Sequence, residues 1–453
     1  REGPPTSCAC GFPSRLRRFG GPSRQTLGFT LIPLDMTEAT TPKQSIGDEI
    51  NLFVRHIDSL RETLPMTMLV IQEVGKKFSS ELEKFETDNC AVTTDGDKRR
   101  ISVPLEHIRR WKKLNSRHDQ SEHARTLVPR SMMVSLVSQY DAFIGRLLRA
   151  IFLARPELLN ASEKTLSFSQ VASFPSIESI RDHVIEKEIE AALRTSHSDQ
   201  IKWMESRFDL PLTKGLAIWP RFIELTERRN LFVHTDGIVS SQYLSVCRQH
   251  GVSLDPEAIE GARLGVPQKY FGQAYCCVFE LGVKLGHVLW RKLLPDERES
   301  ADSNLVSATY ELIDRDDNDL ALALLDLACD TVKKHSSEWF QLAFAINRAQ
   351  AYKWSGKKAE CTSTLRTVDW SAKGDEFKLA DATLREDWPK AIEIVRRIGT
   401  SGPISKLNYR DWPLFRELRT QPEFLLAYQE IFAEAFPSAV TSSPPEEVTP
   451  HET

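Results

Sequence analysis

Apolar residues recur every three or four positions through most of this chain, which is the spacing of a helix with one buried face. An early part of the chain carries two such stripes, Ile50, Phe53, Ile57 and Leu60, then Leu69, Phe78, Leu82 and Phe85. Pro65 lies between them and lacks the amide hydrogen of a helix, so two helices broken near that residue are predicted. The ordered part of the chain therefore begins with a helical region, predicted over residues 45–125.

The helical pattern is interrupted between residues 91 and 103. Residues 91–94 and 101–103 favour strands and Asp95-Gly96 favours a tight turn, so a short β-hairpin is predicted. A basic run surrounds Trp111 and comprises Lys98, Arg99, Arg100, Arg109, Arg110, Lys112 and Lys113. These side chains could bind RNA phosphates and stack a base. The alternative is a solvated helix face with one partly buried Trp, which is the commoner arrangement.

Residues 126–296 contain enough helical segments for a four-helix bundle. The segments are residues 132–153, 177–208 and 270–294 and a segment that begins at Trp219, with a Gly- and Pro-containing loop at 251–267. The first segment is the most apolar helix of the chain, although Asp141 interrupts it. The second is strongly charged, which is typical of an outer helix with charge pairs at i and i+4. His183 and His197 in this segment are predicted to face solvent and receive no role.

A charged linker at residues 295–304 leads to shorter helices, predicted over residues 303–436. Two of them are predicted at 339–354 and 357–365, joined at Gly356. Ala359 and Ala391 occupy matching places in the pattern, at a separation near the ~34-residue period of tetratricopeptide repeats. Because small residues allow close helix packing, the segment resembles a tetratricopeptide-like helical array. Such an array implies a protein partner.

Both ends of the chain are predicted to be disordered. Residues 1–44 form a leader rich in Gly, Pro, Ser and Arg, and Met36 is the expected natural start. An Arg-rich organelle transit peptide is the alternative for this leader. Residues 437–453 are rich in Pro, Ser and Glu and contain too little apolar surface to offset the entropy of ordering.

Composition narrows the class of protein. The formal net charge of −4 means that no overall positive field indicates a nucleic-acid partner, so RNA binding must depend on local patches. Eight cysteines show no metal-ligand spacing. Reduced thiols, a cytoplasmic location and no metal or other cofactor are therefore expected. No apolar run approaches the ~20 residues of a membrane span, so no membrane partner is expected.

The most informative stretch begins at Trp219 with the sequence WPRFIELTERRNLFVHTDGIVSSQYL. It starts like a helix, because Pro220 occupies a first-turn position that needs no N–H partner. Phe222, Leu225 and Phe232 then follow at separations of three and seven residues, the second being the sum of a three- and a four-residue step. This spacing predicts a helix with one buried face.

Three polar residues stand near the end of this helix. Arg229 falls in the apolar stripe, where a guanidinium is costly unless an anion or hydrogen-bond acceptor meets it. Asn230 and His234 stand at i and i+4 and therefore share a face. Asp236-Gly237 follows and is suited to end or bend the helix.

The run from Arg229 to His234, RNLFVH, resembles the Arg-four-to-six-residues-His motif of the HEPN superfamily. HEPN domains are small helical bundles, and many are metal-independent endoribonucleases that act as dimers. The resemblance implies an all-α fold with a HEPN-like four-helix bundle over residues 126–296, an N-terminal helical extension and the C-terminal array. It also implies a homodimer that cleaves RNA as a stress or phage-defence effector.

The resemblance implies roles for individual residues. Arg229, Asn230 and His234 match the motif and would be catalytic. Arg228 is a competing assignment for the arginine and a candidate for binding substrate. Asp141 is the other candidate at the substrate, because several HEPN proteins carry a supporting acidic residue on an early helix. A simple pairing of Asp141 with a nearby Arg on an exposed face is the alternative.

These residue types suit RNA cleavage because RNA carries its own nucleophile, the 2′-hydroxyl beside each phosphate. Histidine suits the proton transfers, since its ordinary pKa of ~6.5 is near neutrality. Arginine suits the negative charge that develops at phosphorus, because its planar fork meets two phosphate oxygens and stays protonated. Asn230 could orient the phosphate or hold the His234 ring.

Helix geometry limits how one chain could use both residues. Five helical steps place Arg229 and His234 about 140° apart around the axis. One straight helix therefore does not aim both at a single phosphate. A bend near Gly237, the reach of the Arg side chain, or a second copy of the helix across a two-fold axis would solve this, and the last solution predicts a homodimer.

Two other interpretations remain open at the level of sequence. A HEPN-like bundle could bind nucleotides or RNA without cleavage and act as an adaptor. A purely structural scaffold is the other alternative. In that case Arg229 would be a satisfied interface residue and His234 would interact with the last carbonyls of its helix.

Overall fold

The computed structural model describes residues 45–437, apart from 96–97 and 162–164. The predicted leader at 1–44 and nearly all of the predicted tail at 437–453 lie outside the described residues. The described chain is all-α apart from one two-stranded sheet, which confirms the predicted fold class. Its residues fall into two compact units, the first ending at Ala301 and the second beginning at Asp302.

The first unit contains two long helices, a hairpin and six further helices. They are α1 (Ile46–Asn89), β1 (Ala91–Asp95), β2 (Lys98–Ser102), α2 (Ile108–Ala154), α3 (Phe168–Ala172), α4 (Ile177–Leu193), α5 (His197–Phe208), α6 (Trp219–His234), α7 (Ser241–Gln249) and α8 (Gln268–Leu293). The two strands are antiparallel, with Ala91 opposite Ser102 and Asp95 opposite Lys98. The hairpin predicted at residues 91–103 is therefore confirmed.

Helix α1 is continuous through Pro65, so the predicted break there is wrong. A proline inside a helix removes one backbone hydrogen bond, and packing on a neighbour can outweigh that loss. Helix α1 packs along α2, which itself continues through Pro129. The predicted domain boundary at 125/126 falls inside α2, so the N-terminal region and the bundle share these two helices.

The second half of α2 lies at the centre of the bundle and packs against α1, α4, α6 and α8. Its apolar face, which includes Leu136, Tyr140, Phe143 and Leu147, is fully buried. Helix α8 approaches α1 closely at Gly282, where an added Cβ would overlap the Phe53 ring. These contacts hold α6 against α2, which positions the residues of the motif.

The segment predicted as one helix over residues 177–208 is two helices, α4 and α5. The Ser196 side chain accepts a hydrogen bond from the Asp199 backbone amide and so caps the start of α5. A serine that satisfies the first-turn amides starts a new helix readily. This break turns α5 toward α6, which it contacts.

The second unit is a series of short helices with its own core. They are α9 (Arg298–Asp314), whose first residues precede the boundary, α10 (Asn318–Asp326), α11 (Glu338–Trp354), α12 (Lys358–Arg366), α13 (Asp375–Leu384), α14 (Trp388–Ile398), α15 (Lys406–Asp411) and α16 (Pro422–Phe432). Helices α11 and α12 pack together, as do α13 and α14. The pairs agree with the predicted helical array. The predicted equivalence of Ala359 and Ala391 is wrong, because Ala391 is fully buried and Ala359 is exposed.

Candidate functional site

Helix α6 has defined ends that fix where its polar residues lie. Pro220 is in its first turn, and Thr235 follows its last residue. Asp236 and Gly237 then have positive φ values of 53° and 83° and turn the chain out of the helix. The Asp236 carboxylate accepts hydrogen bonds from Arg130 at 2.8 Å and Arg263 at 2.5 Å. These contacts hold the turn that follows His234.

One face of α6 carries a buried polar network around Glu224, which we call the Glu224 network. Its carboxylate accepts hydrogen bonds from Arg228 Nε at 2.6 Å and from the hydroxyls of Tyr243 and Tyr270, each at 2.7 Å. The Arg228 guanidinium lies 4.0 Å from the Tyr270 ring centroid and also donates to the Gly265 carbonyl. Both oxygens of Glu224 therefore have donors, and Arg228 is held inside the protein.

The electrostatics of the Glu224 network keep its donors protonated. Burial and the Glu224 carboxylate raise the pKa of Tyr243 and Tyr270 above the usual range. Burial also raises the pKa of the neighbouring Cys247 thiol to about 12. Burial alone would lower the pKa of Arg228, but Tyr270 and Glu224 raise it overall. The network thus combines one carboxylate with one guanidinium in a closed arrangement.

Arg229, the next residue, belongs to a second and more open group. We call this the Arg229 group, and it consists of Asp141, His197, Glu227, Arg229 and Asn230. Arg229 Nη1 donates to the Asn230 side-chain oxygen at 3.2 Å, and its Nη2 lies 3.9 Å from Asp141 Oδ2. The buried Nε has no hydrogen-bond partner among the described residues. The Arg229 side chain is 25% exposed. A guanidinium has five N–H donors, so Arg229 retains capacity to bind an anion.

Asp141 is fixed by a histidine from another helix. Its Oδ1 lies 2.9 Å from Nε2 of His197, the first residue of α5. The prediction that His197 faces solvent is wrong, because its side chain is only 10% exposed. The ring packs edge-on against Phe222 and lies near Tyr140. The break between α4 and α5 brings it into this position.

Asn230 and Glu227 complete the Arg229 group. Asn230 accepts from Arg229 and donates to Glu227 Oε1 at 3.5 Å, so it contacts these residues rather than His234. Burial raises the pKa of Glu227, although the nearby His197 and the Asn230 hydrogen bond act in the opposite direction. A half-buried carboxyl therefore lies beside the asparagine of the motif.

His234 lies apart from this group at the C-terminal end of α6. It is exposed and has no hydrogen bond or ion pair to another described residue. Helix α6 is unbroken between Arg229 and His234, so the offset of about 140° between them remains. The structure of this chain therefore brings Asp141, Arg229 and Asn230 together and leaves His234 outside.

The sequence favours Arg229 over Arg228 because Arg229 falls in the apolar stripe of α6, but the burial of these residues in the structure differs from that prediction. Arg228 is the more buried of the two, with 7% of its surface exposed, and Phe232 at the end of the stripe is only partly buried. Arg228 is engaged by Glu224, so the geometry gives its predicted role in substrate binding no support. Asp141 lies 3.9 Å from the Arg229 guanidinium, and its predicted role at the substrate stays a prediction.

The sequence did not predict that Glu227 and His197 belong to the Arg229 group. Glu227 precedes Asn230 by three residues, so helical spacing alone could have indicated their contact. His197 comes from a separate helix, and no local pattern places it beside Asp141. Its capping serine was the available signal that α5 starts at this point.

The basic run near the hairpin is partly structural. The Trp111 indole N–H donates to the buried Glu86 carboxylate at 2.9 Å, and Arg110 lies over the Phe85 ring. Trp111 is half-buried. These contacts favour the interpretation of a partly buried Trp over that of a surface for base stacking.

The second unit contains a polar cleft of about 1250 Å³ between the π-helical turn Leu327–Thr331, α11 and α12. Its lining carries charges of both signs, including Asp330, Lys334, Arg348 and Glu360. Charge therefore does not select one class of partner for this cleft. The protein partner of the array stays a prediction.

No protein-family model, curated protein or solved structure matches this chain. In the part of the chain that the structure describes, no helix is both long and apolar enough to cross a membrane. Within residues 45–437, excluding the two gaps, no three His, Cys, Asp or Glu side chains cluster as metal ligands would. The six cysteines of these residues form no disulfide.

Proposed function

We propose that this chain is a HEPN-type endoribonuclease that cleaves RNA without a metal ion and acts as a cytoplasmic stress or phage-defence effector. The observation that carries the proposal is the contrast between two adjacent arginines. Arg228 is closed into the Glu224 network, whereas Arg229 keeps unused donors beside Asp141 and Asn230. A partly exposed, incompletely paired guanidinium is what recognition of a phosphate requires.

In the proposed reaction the RNA 2′ oxygen attacks the adjacent phosphorus, and the bond from phosphorus to the 5′ oxygen breaks. Arg229 stabilises the negative charge that develops on the phosphate oxygens. His234 takes part in moving the proton from the 2′-hydroxyl and in protonating the 5′ oxygen. The products carry a 2′,3′-cyclic phosphate and a 5′-hydroxyl.

Neighbouring side chains would prepare Arg229 for this role. Asp141 and Asn230 contact its two terminal nitrogens and limit the directions in which the guanidinium can point. Fixing the donor before substrate arrives reduces the reorganisation needed in the transition state. We therefore assign Asn230 and Asp141 to holding the arginine.

The exposed position of His234 supports a site shared by two protomers. A two-fold axis beside the C-terminal half of α6 would place the partner's His234 near Arg229, which one protomer does not achieve. Light scattering at micromolar concentration is expected to give the mass of a homodimer. A protein that remains monomeric in the presence and absence of RNA would contradict this arrangement.

Cleavage of mixed RNA by the purified protein tests the proposed reaction. We expect cleavage that persists in EDTA and leaves 2′,3′-cyclic phosphate ends. His234→Ala is expected to lower the rate by about 10²–10⁴, the usual contribution of a positioned general acid or base. Its melting temperature should be unchanged because the side chain is exposed. Equal cleavage by both proteins, or complete inhibition by EDTA, would exclude the mechanism.

The second candidate is an adaptor that binds RNA or nucleotides through the same Arg229 group without cleaving them. It is favoured by the distance of His234 from that group within one protomer. Binding of RNA that is lost in Arg229→Leu, with intact RNA recovered after incubation, would support this candidate over the enzyme.

A further inference from the structure

We propose that His197 is a positioning residue of the Arg229 site: it fixes Asp141, and through Asp141 it orients Arg229. The inference rests on the proposed function, since it concerns the arginine assigned to the phosphate. Its structural content is independent of RNA cleavage. The chain of contacts runs from α5 through α2 to α6, so three helices must be correctly packed to set one guanidinium.

The first contact in this chain is short and directional. His197 Nε2 lies 2.9 Å from Asp141 Oδ1, and an ionised carboxylate can only accept hydrogen bonds. Nε2 therefore bears the hydrogen of the ring, and this N–H donates a hydrogen bond to Asp141. Phe222 and Tyr140 contact the ring, which limits its rotation.

The second contact is longer and depends on the first. Arg229 Nη2 is 3.9 Å from Asp141 Oδ2, at the limit of an ion pair and beyond hydrogen-bond distance. Such a contact does little by itself to fix the Asp141 carboxylate, although the charge of the carboxylate attracts the guanidinium to that side. The orientation of the Asp141 carboxylate must then come from the stronger partner, His197. Loss of the His197 donor would leave Asp141 free to rotate and Arg229 without a fixed neighbour on that side.

His197 acts through Asp141 rather than on the substrate. Its side chain is 10% exposed, compared with 28% for Asp141 and 25% for Arg229. His197 is thus the most buried of the three residues, and the two that lie nearer the end assigned to phosphate are similarly exposed. This arrangement is the one expected when a buried residue supports a group that binds ligand.

Two substitutions of His197 separate the hydrogen bond from the volume of the ring. His197→Gln retains an N–H donor at about the reach of Nε2, whereas His197→Leu fills similar space without a donor. His183→Leu is the matched control, because His183 is a partly buried histidine of the same region whose ring packs at a tilt against Phe174. No hydrogen bond or ring contact joins it to the site among the described residues.

The structural readout is the side-chain N–H signal of Arg229 in ¹⁵N-arginine-labelled protein, assigned by its absence in Arg229→Lys. We expect the signal of His197→Gln and His183→Leu to match wild type. In His197→Leu it should shift toward that of a free arginine and exchange faster with water. An Arg229 signal identical in all four proteins would overturn the inference, whether or not the protein cleaves RNA.

The kinetic readout is single-turnover cleavage at saturating RNA. Loss of a hydrogen bond to a charged group predicts a rate about 10-fold to 100-fold lower in His197→Leu, with recovery in His197→Gln. Loss of rate with an unchanged Arg229 signal would overturn the positioning role, as would a moved signal with an unchanged rate. Absence of cleavage by wild type would refute the proposed function, and the spectra would still decide the role of His197.

Discussion

Arg228 and Arg229 are neighbours on one helix, yet they lie in opposite environments. Arg228 forms a short hydrogen bond to a buried carboxylate and lies against an aromatic ring. Arg229 has one side-chain hydrogen bond, to Asn230, a distant carboxylate and a buried Nε without a partner among the described residues. A step of about 100° around the helix axis separates the two. One turn of α6 can therefore carry both the closed Glu224 network and the more open Arg229 group.

The Glu224 network can stabilise the helix that carries the Arg229 group. Glu224 joins α6 to α7 and α8 through Tyr243 and Tyr270. Helix α6 is then held independently of any contact made by Arg229. Under the proposed function Arg229 must leave donors free for a ligand, which lowers stability, and the adjacent network would offset that cost.

The largest expected effect is on stability, from Arg228→Leu. This change leaves the Glu224 carboxylate buried without its cation, which is expected to lower the free energy of unfolding by about 3–5 kcal/mol. Arg229→Leu is the control and should cost less than about 1 kcal/mol, since its ion pair is long and partly exposed. Urea unfolding followed by circular dichroism measures both. Equal losses would remove the distinction between the two arginines.

Gly237→Ala is expected to have an intermediate effect by disturbing the turn that follows His234. Gly237 has a φ of 83°, and an added Cβ would lie 2.9 Å from the Leu264 carbonyl oxygen. We expect the free energy of unfolding to fall by about 1–2 kcal/mol, because alanine is strained in this backbone conformation, and the close contact should add to this loss. Gly251→Ala is the control, because its φ is 67° but no atom lies within 4 Å of the added Cβ. A loss no larger than that of the control would show that the turn adapts freely.

The smallest expected effect concerns Glu227 in the Arg229 group. Its pKa in the folded protein is raised, so folding favours the protonated form. The stabilisation from this group is complete below the ordinary pKa of about 4.5 and is lost as the pH rises through the higher folded value. Glu227→Gln should therefore slightly raise the melting temperature at pH 7 and leave it unchanged near pH 4.

Glu190→Gln provides a control of opposite sign for this measurement. Hydrogen bonding to Lys187 lowers the pKa of Glu190, so folding favours its charged form. Replacement should slightly lower the melting temperature at neutral pH, with the difference fading as the pH falls below the ordinary value. The same sign of change for both variants would contradict the environment assigned to Glu227.

The sequence predicted the all-α class and the start of α6 because these depend on local spacing and on Pro220. It also led to Asp141 as a residue close to the motif. It did not predict that α1 continues through Pro65, since packing on α2 along its length outweighs one missing hydrogen bond. His197 was assigned to solvent because its position is set by the contact of α5 with α6. Such contacts between distant segments leave no local pattern.

The choice between Arg228 and Arg229 also depended on contacts with other helices, which local sequence does not predict. The apolar stripe favoured Arg229 as the buried residue, whereas the structure buries Arg228. An acidic partner four residues earlier, Glu224, was the local signal for Arg228. The two tyrosines that complete this network come from other helices, so its closed character could not be inferred from α6 alone.

Complementation between two inactive variants tests most directly whether Arg229 of one protomer and the partner's His234 form one site. Arg229→Ala and His234→Ala chains are coexpressed, so that mixed dimers form and contain one site with both residues intact. Random pairing is expected to restore about a quarter of wild-type RNA cleavage. Arg229→Ala coexpressed with the double variant should restore none. Activity no higher than that of either variant alone would contradict a site built from Arg229 of one protomer and the partner's His234.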